Sequence, residues 1–261
     1  KLTENINSTS EINFDRTLLN PTQGLPSIDY LLNGLSSTDD ALLANYKETK
    51  YTSYINKLTN RMVTLTNDEI NTFNSNKEAN ISSVNNEISS YFSTQINDFL
   101  QYTEKSFREA KIATPSGTRN RPKFPTISVS TSPNSVESVY SPKNSKVLYL
   151  ESYDAIEDFY YGRSYSDNTS TVGIEDYISF LGSQILVDNQ DIALTSYIKT
   201  LFANIDTAND GITDNFKEQT QNYNTNFDAT FDAIQEFVVS IKSNAFNEFG
   251  LTIDFVDSDG D

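Results

Sequence analysis

From Phe227 to Phe249 the chain places Phe227, Phe231, Ile234, Val238, Ile241, Ala245 and Phe249 three or four residues apart almost without a break. That spacing gathers all of them on one face of an α-helix and would scatter them over both faces of a strand. Gly250 follows, the residue best suited to the left-handed turn that closes a helix. Leu42, Tyr46, Ile55, Leu58, Met62 and Leu65 recur at mostly three- and four-residue steps. They predict a long helix that opens at the capping and acidic types Ser36–Asp40 and runs to about Thr66 or Phe73. A second long helix is predicted from about Ala79 to Ala110, with Val84, Ile88, Phe92, Ile96, Phe99 and the nearby Tyr102 as its buried stripe. Long amphipathic helices joined by a short polar connection form an antiparallel pair, the unit of a helical bundle. The expectation is an all-α fold.

The remaining segments are read in the same way. Residues Lys1–Pro21 show few periodic apolar positions and read as an extended lead-in. Between Lys111 and Asn134, Pro115, Gly117, Pro122, Pro125 and Pro133 end the helical spacing, and Arg119, Arg121 and Lys123 make the stretch locally basic. It is either a functional loop or a connection between units, with Ile127–Ser130 as a possible short strand. Its positive charge could bind an anion or neutralise a carboxylate-lined cleft. Helical spacing resumes with Val136, Val139 and Tyr140, breaks at Pro142, and returns with Val147, Leu150, Ile156, Phe159 and Tyr160 up to Gly162. A helix is expected over Gly173–Leu186. Another, capped by Asp188 or Asn189, is expected through Ile192, Tyr197, Ile198, Leu201 and Phe202. Asp206–Asp214 lacks the full ligand spacing and terminal glutamate of a calcium loop and reads as a helix–helix turn or a helix start. Leu251, Ile253 and Phe255 alternate with polar residues, which predicts a short C-terminal strand before a frayed acidic tail.

Composition removes whole classes of chemistry. The chain has no histidine and no cysteine. A Ser–His–Asp triad, a His-ligated zinc site, a thiolate nucleophile and a disulfide framework are therefore all excluded within it. With 19 Lys and Arg against 36 Asp and Glu, the net charge is -17, which repels phosphate backbones and speaks against nucleic acid. No apolar run approaches the ~20 residues needed to span a bilayer.

One short stretch carries the functional reading, Thr22–Gly34. Gly24 permits a tight turn, Pro26 suits a first helical turn, and Ile28, Leu31 and Leu32 form an apolar face that Gly34 can close in the left-handed conformation. Asp29 and Tyr30 are the polar residues such a helix would present to a cleft. By itself the stretch reads first as a short amphipathic connecting helix.

This stretch resembles the signature of the imelysin-like family, G-x-H-x-x-E followed by an apolar pair and a glycine. Gly24 matches the glycine, Pro26 stands in the histidine position and Asp29 in the glutamate position; Tyr30, Leu31, Leu32 and Gly34 continue the match. Proline can neither ligate a metal nor carry a proton. Further along, Lys111–Gly117 resembles the family's basic-apolar-x-x-Pro-x-Gly loop. Val136-Glu137-Ser138-Val139-Tyr140-Ser141 resembles its V-E-x-x-Y-S segment, and Ala155–Gly162 the following helix end. The ending through Asp257, Asp259, Gly260 and Asp261 is similar to that of imelysin-like envelope proteins. In the family a helical region precedes the motif, so N-terminal helices are expected to be missing from this chain.

The resemblance implies two helical-bundle halves, here residues 1–110 and 135–261, joined by a Pro-rich connecting loop over 111–134, with a site where they meet. It implies a protein of the bacterial cell envelope, in the periplasm or on the outer membrane, associated with iron uptake. Membrane association would come only through a lipid anchor not present in this chain. No catalytic residue is assigned. The candidate ligand-binding residues are Gly24, Pro26, Asp29, Tyr30, Glu137, Tyr140 and Arg163, with Asp29 as the candidate metal ligand. Iron, or another divalent or trivalent cation, is the cofactor class implied, since oxygen ligands suit ferric iron. An iron-bearing ligand or envelope iron-uptake proteins would be the partners. The function expected is non-catalytic binding of iron or an iron-bearing ligand. The alternatives are an imelysin-type metallopeptidase, which needs a metal and a base for its water, and a structural or partner-binding envelope module.

Overall fold

The computed structural model describes residues 1–8, 10–16, 22–84, 90–121, 129–167 and 169–253. Helices make up most of it, and the one sheet among the described residues is a two-stranded hairpin, so the all-α expectation stands. Side chains gather into two separate apolar clusters.

The smaller cluster is built around the start of the chain. Helix α1 (Leu2–Ile6), helix α2 (Leu25–Asp29) and the first turns of the long helix α4 (Thr49–Val84) bury Ile6, Leu31, Tyr54 and Leu58 together. Leu2, Ile12 and Phe14 pack against them, so the first residues are folded into a core rather than forming an extended lead-in. The Tyr54 hydroxyl donates to the Thr22 carbonyl at 2.9 Å, which satisfies its polar end inside that core. The single helix expected from Ser36 is two. Helix α3 (Asp39–Asn45) is capped by Thr38, whose hydroxyl accepts from the Ala41 N–H at 3.3 Å. The chain turns at Tyr46, whose own hydroxyl donates to the Leu31 carbonyl at 2.7 Å, and α4 begins at Thr49. Beyond Leu58, Val63, Leu65, Ile70 and Phe73 of α4 are exposed rather than core. Val84 belongs to α4 and not to the second helix. Residues 85–89, with the expected stripe residue Ile88, lie outside the described residues.

The larger cluster occupies the rest. Helix α5 (Ser90–Gln101) continues without interruption into a wider π-helical segment, Tyr102–Ala113, and a last α-turn, α6 (Thr114–Ser116). Ile96, Phe99, Leu100 and Phe107 on this continuous helix pack with helices α7 (Ser145–Tyr161), α8 (Ile174–Leu181), α9 (Leu194–Asp210), α10 (Phe216–Gln219) and α11 (Thr225–Ser240). Residues 96–110, read from sequence as part of the first unit, thus contribute to the core of the second. The final stripe is as expected: α11, a π-segment Ile241–Ala245 and α12 (Phe246–Phe249) run on as one helix, closed by Gly250 at φ +66°. Phe107 stacks on Tyr149 at 4.9 Å, and Phe202 meets Phe237 at 4.7 Å. Aromatic pairs of this kind contribute roughly 0.5–1.5 kcal/mol each beyond the area they bury.

Several expected elements differ. Residues 136–141 are not helical: Ser138 sits at φ +57° and the segment runs as an irregular loop before α7. The helix expected to reach Leu186 stops at Leu181. Gln184–Val187 (β1) then pairs antiparallel with Gln190–Ala193 (β2) in the register Ile185↔Ile192. Asp188 and Asn189 do not cap a helix. Both have positive φ, 50° and 63°, as the two central residues of a tight hairpin turn require. Leu251–Ile253 form no strand, and the expected continuation through Phe255 lies outside the described residues, as do Ile127–Ser128 of the other candidate strand and the acidic tail. The basic residues of the 111–121 stretch are paired within the protein: Arg119 with Glu109 at 2.6 Å, and Arg121 with both oxygens of Asp232 at 2.6 and 2.8 Å. Lys123 lies outside the described residues.

Candidate functional site

Gly24 opens the motif helix as its N-cap, at φ +76°, and Pro26 sits in the first turn with its ring exposed. The helix widens into a π-segment at Tyr30–Gly34. Asp29 and Tyr30 meet the 136–141 loop, and Leu31 is buried in the smaller core. Leu32, expected on the same apolar face, is exposed instead.

The Asp29 carboxylate is occupied. Its Oδ2 accepts the Tyr140 backbone N–H at 2.8 Å, and its Oδ1 accepts the Asn33 amide at 3.0 Å. The Ser138 hydroxyl stands 3.4 Å from the same Oδ1 and 3.1 Å from the Ser141 carbonyl. Tyr30 and Tyr140 meet edge to face, ring centres 5.1 Å apart. Gly34 does not take the left-handed conformation expected of a closing glycine; its role is close approach, since a Cβ there would lie 2.3 Å from the Tyr140 ring.

Three other elements hold the same loop. Glu137 pairs with Lys111 of the π-segment after α5, and the Ser145 hydroxyl of α7 donates to the Glu137 carbonyl at 2.8 Å. Lys217 of α10 donates to the Val139 carbonyl at 3.2 Å, with its ammonium 5.9 Å from the centre of the Tyr140 ring. The loop is therefore the place where the motif helix and the larger bundle are joined. Beside it lies a cavity of about 480 Å³ with mostly polar walls, among them Asn33, Ser36, Thr38, Ser141, Lys143 and Asn215. Alanine at Gly34 is expected to displace Tyr140. The clash costs about 1–3 kcal/mol as overpacking, against about 1 kcal/mol gained in helix propensity. Hydrogen exchange at the Tyr140 amide, faster in Gly34→Ala than in the parent protein, would register the loosened contact.

Asp29, Tyr30, Glu137 and Tyr140 thus meet at one loop. Arg163 does not. Its guanidinium lies against Glu157 at 2.7 Å and Asp158 at 2.9 Å, on the wall of a different cavity. Partial burial works against the charge on Arg163, but the hydrogen bond to Glu157 and the neighbouring carboxylates outweigh it and hold its pKa above the usual value. Lys111, Ser138 and Lys217 complete the junction; Lys111 and Ser138 fall within matched motifs, but none of the three is among the site residues expected from the sequence. Spacing alone cannot pair positions so far apart in the chain.

The residues at the junction do not fit a metal ion. Both Asp29 oxygens accept hydrogen bonds, Glu137 is neutralised by Lys111, and Pro26 offers no donor atom. Among the described residues no three acidic side chains come together in a group that could hold a metal. No described helix is long and apolar enough to cross a membrane.

The family model described as Imelysin matches residues 4–242. No curated protein and no solved structure matches the chain.

Proposed function

The chain belongs to the imelysin family, and from that premise we propose that it is a non-catalytic binding protein of the bacterial cell envelope that serves iron uptake by holding an oxygen-rich iron complex rather than a bare ion. The observation that carries the reading is the state of Asp29. A metallopeptidase needs protein ligands around an open metal position and a base for the bound water. Here the one carboxylate of the motif is spent on the Tyr140 amide and Asn33, and no histidine exists to replace it. The motif helix acts as a clasp that fixes one wall of the adjoining polar cavity. Hydroxyl and amide groups on that cavity suit the oxygen-rich periphery of a chelate.

Asp29→Ala removes the acceptor for the Tyr140 N–H. Hydrogen bonds to a charged group contribute about 1.5–3 kcal/mol, and the partial exposure of Asp29 favours the lower end. Urea denaturation should show that loss. Calorimetric titration of the parent protein with ferric citrate and with haem should show binding of at least one, weakened about tenfold or more by Asp29→Ala, since a 1.4 kcal/mol loss is a factor of ten. No binding of either complex would sink the binding role. Hydrolysis of a peptide panel that disappears in Asp29→Ala would replace it with the peptidase.

A further inference from the structure

A second cavity, of about 630 Å³, opens between α5, α7, α8 and the end of α12 and shares no lining residue with the polar cavity at Tyr140. Its volume is that of a small-molecule site. Phe92, Tyr177 and Phe249 form a three-ring wall with centre separations of 5.8, 6.1 and 5.1 Å, and Phe159, stacked on Phe99 at 4.9 Å, faces them. The back of the cavity is fixed by two glycines in close apposition. A Cβ on Gly173 would lie 2.4 Å from the Gly162 nitrogen, and one on Gly162 would lie 2.6 Å from the Gly173 nitrogen. The Thr171 N–H and hydroxyl both donate to the Gly162 carbonyl at 2.7 Å, so the wall is built before anything binds.

The polar edge sets the sign of the charge that the site accepts. Arg163 is already held by two carboxylates, with its guanidinium 5.0 Å from the centre of the Tyr161 ring, and has little positive field left to offer an anion. Asp158 and Arg163 are the charged residues of the lining, and with Glu157 also on Arg163 the group carries two carboxylates against one guanidinium. Consistent with that field, partial burial together with Glu151, Glu157 and Asp158 raises the Asp154 carboxyl above its usual pKa. Aromatic faces beside a surplus of carboxylates attract a cation twice, through the ring quadrupoles and through the charge.

We propose that this cavity binds a small organic cation, an amine with an aromatic or aliphatic body, whose apolar part lies among Phe92, Phe159, Tyr177 and Phe249 and whose charged head lies at the rim, where Glu157 and Asp158 together outweigh the one charge of Arg163. The site does not depend on the clasp at Asp29, and its test is separate from the titrations with iron complexes.

Three probes with one body isolate the charge: 4-phenylbutylamine, 4-phenylbutanol and 4-phenylbutyrate, titrated up to ~10 mM while phenylalanine and tyrosine ring signals are followed by NMR, a range matched to weak ligands of this size. The amine should bind about tenfold or more tightly than the acid, with the alcohol between them. Val172 lines the mouth and is 84% exposed, so Val172→Trp should leave the fold intact and abolish binding by blocking entry. Asp158→Asn should narrow the amine's advantage over the acid to about threefold or less, because one charge near the head is lost. The proposal is overturned if the acid binds as tightly as the amine, if none of the three binds, or if Val172→Trp leaves amine binding unchanged. The last result would mean that the amine is attracted by the net charge of -17 and not by the cavity.

Discussion

Replacing Glu104 by alanine is expected to cost roughly 3–5 kcal/mol of stability, because it removes the counter-charge of a buried ionic cluster. Glu104 is fully buried in the π-segment Tyr102–Ala113. Its Oε2 lies 2.8 Å from the ammonium of Lys242, and its Oε1 lies 2.8 Å from that of Lys105 and 3.8 Å from the guanidinium of Arg108. Arg108 is also fully buried, 5.1 Å from the centre of the Phe231 ring, and Lys242 sits in the facing π-segment Ile241–Ala245. The two widened segments therefore meet through charge inside an otherwise aromatic core. Deleting the carboxylate leaves the cations beside it in a low-dielectric setting with their strongest attraction gone. Replacing the set together tests the cause: a triple variant with methionine at positions 104, 108 and 242 should be more stable than Glu104→Ala alone, since well-packed apolar residues often substitute for a buried ion cluster at little cost. Urea midpoints and slopes for both variants give the comparison. A loss below about 1 kcal/mol for Glu104→Ala would mean that water already reaches the cluster.

The cluster also shows where sequence reasoning stops. The stripe from Phe227 to Phe249 was legible because every member obeys one period and Gly250 closes it in the left-handed conformation. The end of α7 at Gly162, φ +65°, was legible for the same reason. Glu104 and Arg108 stand one turn apart, and by pattern alone they look like an ordinary ion pair on a solvated face. Lys242 and Phe231, far along the chain, are among the residues that make them interior. The hairpin Gln184–Ala193 was missed because its strands are four residues each, too short to separate alternation from helical spacing, and Asp188–Asn189 serve caps and tight turns equally. At the motif, sequence resemblance brought forward Asp29, Tyr30, Glu137 and Tyr140, which do meet at one loop. What it could not supply was the atom that matters: Asp29 is bound chiefly by the backbone N–H of Tyr140, a group every residue but proline carries. Arg163 was grouped with them by family position and belongs to a different cavity.

Alkaline pH is expected to unfold the protein cooperatively, and the buried phenols set where. Tyr149, Tyr153 and Tyr160 are all buried, and burial is the main cause that pushes each pKa far above the usual phenol value. Asp206 adds to the rise at Tyr153 and Glu175 at Tyr160, and the Tyr149 hydroxyl donates to the Asn209 Oδ1 at 2.7 Å. The unfolded chain releases these protons near pH 10, and the folded protein keeps them. The contribution of these groups is therefore fully present below pH 10 and is lost as pH rises toward the folded values. Each retained proton costs the folded state about 1.4 kcal/mol per pH unit above 10, so three phenols remove about 4 kcal/mol by pH 11. Against a total stability of roughly 5–15 kcal/mol, that places the transition above about pH 11, and near pH 12 for a stability of about 8 kcal/mol. Tyr223, pushed up to about 12 by partial burial and its hydrogen bond to Asp228, is too exposed to add much. The chain has 15 tyrosines, and the exposed ones should titrate first, near pH 10. A second rise in absorbance at 295 nm should coincide with loss of the helical circular dichroism signal. Tyr153→Phe removes one of the three late protons and should flatten the pH dependence by about a third. If all the phenols titrated smoothly near pH 10 with the helical signal intact, solvent would have access to this core, and the aromatic cluster would not be the stabilising centre that its packing indicates.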